Sequence, residues 1–563
     1  VYQNMMTRLS PGEYIIQNPA LRSLVNVKFP RPIYKQFPNG KYMEGFKSTT
    51  GKQLLNILMF SMYPEPKIIY REYIQNALDS INAAAHKGIL KQVKDGNVSV
   101  SINPKDRDVK IEDNGQGIPA DDVAKRLLNI ADSPKDGISS AGQFGIGRLV
   151  GAGYCRKLVF ETTAKGETVK TRLELDVDFI EGVLRDDDDN SSANELMDAA
   201  TTLVHFEENS DSHYFKVFLE GIKPDYDQLL DENLITDYLR EVAPIDFGLP
   251  FKSRYYNAIN ACYKAYSTNL PYVNISVNQQ SDIRKRYGLK IDGTGDAIED
   301  LECFIIKDDQ YGELAWGWFA ITKFSIAIPA SDPNRGLRLR KHNIQIGNQT
   351  LLNDYFTEAR GNNYFYGEIH ILHEQIKPES GRSGLAPTPE SLKLWDLLRV
   401  KFVELKKLYN VANEAKRAVK SILDLTDKAT SPDYSEEEVQ THKNNIKPAT
   451  EKFEKIETKA EELASTQKVV ELYKKELEEK KKIKSEPKPK TKPVSTNDSD
   501  SSPVVKPIPK PVDVFAPLQE TLSPKEVWLV RRVFKSFSDN CPEANKKLIE
   551  ELKIMVVRDL AKK

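Results

Sequence analysis

The chain is poor in the residues that staple or metallate a fold. Its four cysteines (Cys155, Cys262, Cys303 and Cys541) form no C-x-x-C pair, and few of the seven histidines fall near them. That spacing argues against a zinc site or a disulfide framework and for buried free thiols. No apolar run reaches the ~20 residues that span a bilayer. The first residues show no charged-then-apolar leader, so a cytoplasmic location without a membrane partner is expected. A net charge of -1 supplies no whole-molecule pull toward nucleic acid.

What is present is length and patterning. A chain of 563 residues exceeds what one core can organise. An irregular Pro-, Asn- and Tyr-rich arm is expected over 1–50, and an α/β domain over 51–225. A second α/β domain of transducer type is expected over 226–390, with strands at Val273–Val277, Cys303–Ile306, Leu314–Ala320, Gly336–Gln345 and Glu368–Leu372. From Ser391 the apolar spacing turns helical, and Phe453, Ile456, Ala460, Leu463, Val470 and Leu477 suggest a coiled coil or helical hairpin over 391–484. Residues 485–512, full of Pro, Lys and Ser, read as a disordered linker. Helical periodicity returns over 513–563. The acidic run Asp186–Asp189 reads as a solvated loop. The fold class is α/β (α+β) followed by helices.

Within the first domain, apolar residues from Ile68 to Ile81 recur at helical spacing. Steps of four and three place Glu72, Asn76 and Asp79 on one face of that helix. Val98–Ile102 and Val109–Glu112 alternate as a hairpin, which sets Asp113 at a strand end before Asn114-Gly115-Gln116-Gly117. Glycines there let a flat ring approach the backbone without a Cβ in the way. A second cluster, Gly142-Gln143-Phe144-Gly145-Ile146-Gly147, precedes a short helix and offers unhindered N–H groups for phosphate. No Gly-Lys-Ser/Thr follows it, and its glycine spacing is not that of a dinucleotide turn. A carboxylate to polarise water, an oxygen ligand for Mg2+, an acceptor for an adenine amine and a phosphate cradle are together the parts of an ATPase.

These three motifs in this order resemble the GHKL ATPase superfamily of gyrase B, HtpG-type chaperones, histidine kinases and MutL, nearest its HtpG-like and MORC-like branches. The resemblance implies a Bergerat α/β sandwich binding ATP and Mg2+. It implies Glu72 as general base, Asn76 as the Mg2+ ligand, Asp113 as the acceptor of the adenine amine and Asp79 in support. Gly115 and Gly117 would shape the adenine side, and Thr201 would join Asp113 through water. Residues from about 128 to 147 would form a lid, with Ser133 and Lys135 within reach of phosphate. Gly142, Gln143, Phe144, Gly145, Ile146 and Gly147 would cover the phosphates. In clamp-type members a second domain reaches the γ-phosphate, and Arg340, Lys341 and Gln345 fit that sensor segment, with Arg382 a weaker match.

The implied activity is an ATP-hydrolysing conformational clamp of HtpG or MORC type. Its implied partners are a second copy of the chain, a protein or nucleic-acid client and a separate effector protein. A nucleic-acid- or defence-associated ATP-dependent scaffold is the alternative, supported by the Lys-rich segment from Lys443 to Lys492. A histidine-kinase-type phosphotransferase fits less well, because there the ATP domain follows a histidine-bearing helical dimer.

Overall fold

This computed structural model describes residues 13–16, 25–28, 51–61, 65–128, 147–265, 271–278, 280, 283–379 and 381–485, with isolated positions between 523 and 557. Two compact units divide the chain, Val1–Glu486 and Pro487–Lys563. The arm region contributes one antiparallel pair, β1 (Glu13–Ile16) with β2 (Val25–Lys28).

The first layer is a mixed seven-stranded sheet of β3 (Asn97–Asn103), β4 (Asp108–Asp113), β5 (Lys157–Thr163), β6 (Val169–Asp176), β7 (Thr201–Glu207), β8 (Tyr214–Glu220) and β9 (Asn274–Val277), in the order β7-β6-β5-β8-β4-β3-β9. On β3 and β4 every second residue is buried, as expected of a sheet with one covered face. The covering helix α1 (Ile68–His86) starts just after Pro64 and Pro66 and carries no Gly or Pro inside. Most of its residues are buried, and Tyr70 Oη donates to the Leu229 carbonyl at 2.6 Å. The chain continues through α2 (Val123–Leu128), α3 (Val177–Arg185), α4 (Ala193–Ala200) and α5 (Glu232–Val242). The acidic run beside α3 is partly engaged, since Lys52 Nζ donates to the Asp186 carbonyl at 2.5 Å and lies 3.5 Å from Asp189 Oδ1.

The sequence reading assigns Val273–Val277 to the second domain, yet β9 pairs parallel with β3 and closes the first sheet. After α6 (Phe251–Ala265) comes a five-stranded sheet of β10 (Asp300–Asp308), β11 (Gly312–Ile321), β12 (Gly336–Lys341), β13 (Ile344–Ile346) and β14 (Tyr366–Ile371), ordered β10-β11-β14-β12-β13. Gly336–Gln345 reads as one strand but folds back at His342 and Asn343, whose φ values of 51° and 62° fit a two-residue hairpin turn.

Three helices follow: α7 (Pro389–Thr430), α8 (Glu436–Ala460) and α9 (Ala464–Ser485). Thr388 and Ser435 each open a helix with a capping box. Leu405, Leu408, Ala412, Val419 and Ile422 of α7 share one core with Phe453, Ile456, Val470, Tyr473 and Leu477. Short turns at 431–435 and 461–463 make successive helices run antiparallel.

The expectation of free thiols is corrected at two positions. Cys262 on α6 and Cys303 on β10 form a disulfide with a Cα–Cα distance of 6.1 Å, while Cys155 is a buried free thiol. A helix packed across a strand brings together cysteines 41 residues apart, which spacing alone does not reveal. Among the described residues no helix is long and apolar enough to cross a membrane. Apart from Ser485, the expected linker lies outside the described residues. In the second unit Ser523 and Glu526 form a reciprocal cap, and Phe534 and Val557 are buried.

Candidate functional site

Helix α1 delivers the carboxylate face. Glu72 is 8 % exposed, and two guanidinium groups flank its Oε1. Arg382 Nε lies at 3.4 Å and Arg71 Nε at 3.7 Å, ion-pair contacts that leave Oε1 without a hydrogen bond. Arg71 Nη2 also donates to the Gly381 carbonyl at 3.1 Å. A segment more than 300 residues downstream is thereby held against the helix. Asn76 and Asp79, one and two turns on, are half-buried on the same side. Gln75 is buried there too, with neither amide atom hydrogen-bonded among the described residues.

The chain re-enters opposite Glu72 at Gly147, where a Cβ would sit 3.1 Å from Glu72 Oε2. Tyr73 fixes this approach, its hydroxyl donating to the Arg148 carbonyl and accepting from Gly151 N–H, both at 3.0 Å. Gly147 opens the helical turns Gly147–Gly153. Ser133, Lys135, Gly142, Gln143, Phe144, Gly145 and Ile146 lie outside the described residues.

Asp113 ends β4, paired with Val98 on one side and Phe215 on the other. Its carboxylate is buried, with Oδ1 accepting from Gly115 N–H at 2.8 Å and the Ser80 hydroxyl standing beside it as a second donor group. Burial pushes the carboxyl up to about 7 against the pull of those two donors. Gly117 is required twice: its φ is +67°, and a Cβ there would overlap the Thr163 carbonyl. The turn is tied down by Gln116 N–H to the Ser80 carbonyl at 3.2 Å and by Ile118 N–H to Thr162 Oγ1 at 2.9 Å. The His213 ring meets the Gly115 carbonyl through Nδ1 at 2.7 Å.

Thr201 is not brought to Asp113. It starts edge strand β7, four strands from β4 and so roughly 19 Å across the sheet. Its hydroxyl donates to the Met197 carbonyl at 2.6 Å, closing α4. Thr162 on β5 touches the glycine turn instead.

The sensor candidates are also placed elsewhere. Lys341 Nζ donates to the carbonyls of His373, Glu374 and Ile376, and Gln345 Nε2 to that of Gly347. Neither contacts Glu72. Arg340 belongs to a buried ionic centre around Glu368, which is fully enclosed. Lys285 Nζ reaches both Glu368 oxygens at 2.9 Å and Asn343 Oδ1 at 2.8 Å, and His370 Nε2 lies at 3.1 Å. Arg340 Nε is 2.8 Å from Glu368 Oε1, but its N–H is not directed for a hydrogen bond. Its Nη2 instead donates to the Glu241 carbonyl at the end of α5, at 2.6 Å. Against the cost of burial, Arg340 and Lys285, with the His370 hydrogen bond, hold Glu368 well below the usual carboxylate range. Burial and Arg340 press Lys285 down to about 7, and burial presses His370 to about 4. Arg340 and Lys341, which pattern reading assigned to the γ-phosphate, serve this carboxylate and nearby carbonyls instead.

Residues 66–200 match the family model for the histidine kinase-, DNA gyrase B- and HSP90-like ATPase. The chain carries a GHKL ATPase domain. Its relatives include the chaperone protein HtpG of Fusobacterium nucleatum, 31% identical over 134 residues, which is 21% of this chain and 22% of that protein. The HtpG of Idiomarina loihiensis is 32% identical over 152 residues, covering 24% and 22%. That of Aliivibrio salmonicida is 33% identical over 131 residues, covering 20% of each. The chain thus spans about a fifth of the length of the curated relatives it matches. The GHKL region contains α1, the Asp113 turn and Gly147. It does not contain Arg382, and Ser80 and Thr162 inside it went unread, Ser80 although it directly follows Asp79.

Proposed function

We propose that this protein binds Mg2+ and ATP in its GHKL domain and hydrolyses ATP as a conformational clamp. The adenine amine donates to Asp113, the phosphates lie along the Gly142–Gly147 approach, and Glu72 takes the proton of the attacking water. The observation that carries the clamp is the contact of Arg382 and Gly381 with Glu72 and Arg71, because it ties the region after the second sheet to the carboxylate proposed to do the chemistry.

A metal fits the site only in company with phosphate. Among the described residues no three His, Cys, Asp or Glu side chains gather as a protein-only cage. Asn76 offers an amide oxygen engaged by no other described residue, one helical turn from Glu72. Such a single hard ligand suits an ion that keeps its waters and takes phosphate oxygens for the rest. Held by Asn76, Mg2+ would supply positive charge to offset that of the phosphates. Asn76 orients it and Asp79 supports the turn beneath. Ser133 and Lys135 belong to the proposed lid.

Closure is proposed to join two copies of the chain in the cytoplasm around a protein client, with gating slower than chemistry. Solution mass and small-angle scattering with a non-hydrolysable ATP analogue test this. A compact dimer is expected with the analogue and an open form without it. An unchanged mass and radius at saturating analogue refute closure.

A further inference from the structure

Asp113 is a buried carboxylate of the site, and its neighbours set its orientation. Gly115 N–H donates to its Oδ1 at 2.8 Å, and the Ser80 hydroxyl stands beside the same oxygen and favours its ionised form. The three groups are pressed together, since a Cβ on Gly115 would overlap Ser80 Oγ and lie 2.6 Å from Asp113 Oδ1 and 2.7 Å from the Ser80 carbonyl carbon. Gln116 N–H bonds the Ser80 carbonyl at 3.2 Å, so the same residue anchors the turn by its backbone and the carboxylate by its side chain. A carboxylate offers about four lone-pair directions. Gly115 N–H occupies one and the Ser80 hydroxyl stands at another, and these two neighbours fix where the remaining ones point.

We propose that Ser80 is a positioning residue for adenine recognition, its hydroxyl turning the Asp113 carboxylate so that a free lone pair meets an exocyclic amine. This rests on the ATP-binding reading above. A rotating carboxylate accepts an amine poorly and water readily, whereas one clamped by two donors is preorganised. Ser80 also favours the ionised carboxyl, opposing its burial. The titratable groups near the pair are Glu112 on the same strand, which opposes ionisation, Asp79 directly before Ser80 in the sequence and His213 on the Gly115 carbonyl.

The test is calorimetric titration of the full chain and its Ser80→Ala and Ser80→Cys variants with ATP and with inosine triphosphate, which has a carbonyl in place of the amine, from pH 6 to pH 9. The unmodified chain is expected to prefer ATP. Ser80→Ala should weaken ATP about tenfold, leave inosine triphosphate nearly unchanged and move the midpoint of ATP uptake to higher pH, with Ser80→Cys between. A loss of fold alone would weaken both triphosphates equally and leave the midpoint in place. If the unmodified chain prefers ATP and Ser80→Ala reproduces its preference and midpoint, the proposal fails while the ATP reading stands. If the unmodified chain takes up neither triphosphate, both fail.

Discussion

Neutralising Glu368 is the perturbation with the most direct structural consequence. Glu368→Gln keeps the shape of the side chain but removes the counter-charge of Arg340 and Lys285, both buried. Arg340 cannot shed its proton, and its remaining acceptors are the backbone carbonyls of Asn343 and Glu241. Lys285 can, being already held near 7. Breaking a buried pair costs about 3–5 kcal/mol, and deprotonation of Lys285 places the expected loss toward the lower end. At roughly 2–4 °C per kcal/mol for a domain of 150–250 residues, a loss of about 3–4 kcal/mol should lower melting by about 6–16 °C.

The assay is thermal melting followed by tryptophan fluorescence, because Trp318 pairs with Glu368 across the strands and Trp316 stacks on His370 at 4.6 Å. The sign of the pH dependence follows from Lys285. Its folded value is depressed from 10.5 to about 7, so the unfolded chain holds the extra proton between those values and this residue's contribution to stability rises with pH across that window. In Glu368→Gln the rise should begin below pH 7. Adding Lys285→Met should cost less than the sum of the single changes. A Glu368→Gln protein that melts within 2 °C of the parent would refute the reasoning.

Asp113→Asn should stabilise the GHKL domain at pH 8 and not at pH 4, since a carboxyl raised from 3.8 to about 7 loses its contribution to stability as pH rises through that window; melting at the two pH values measures this, with about 4 kcal/mol as the upper bound. Gly117→Ala should abolish calorimetric ATP uptake while circular dichroism shows the sheet retained, because the left-handed backbone costs about 1–2 kcal/mol and the Thr163 carbonyl leaves no room. Arg382→Ala should slow ATP turnover at least tenfold with affinity changed less than threefold, and equal losses in both would place Arg382 in simple binding. Thiol titration of the denatured, unreduced chain should find two reactive thiols, Cys155 and Cys541, and four would contradict the Cys262–Cys303 bond.

The parts of the site visible in the sequence are those fixed by local geometry. Glu72, Asn76 and Asp79 share a face because helical spacing puts them there, and Asp113 with its two glycines reads as a strand end followed by a tight turn. Contacts between distant segments are not written in such periods. Arg382 meets Glu72 across 310 residues, and only its guanidinium chemistry hinted at a role. Lys341 and Gln345 looked available because a basic strand normally faces solvent, whereas buried carbonyls and the enclosed Glu368 claim that strand's polar side chains. Strand β8 escaped notice because Tyr214, Phe215, Phe218 and Leu219 blur the alternation around Lys216. Its place between β5 and β4 is what moves Thr201 away from Asp113.

The central claim is that Glu72 activates water against an ATP held between α1 and the Asp113 turn. Glu72→Ala, assayed for calorimetric uptake of ATP with Mg2+ and for phosphate release, tests it most directly. Uptake within threefold of the parent and release at least a hundredfold slower is the predicted result. Phosphate release equal to the parent's would contradict the assignment of Glu72, and absence of uptake by the parent would contradict the account as a whole.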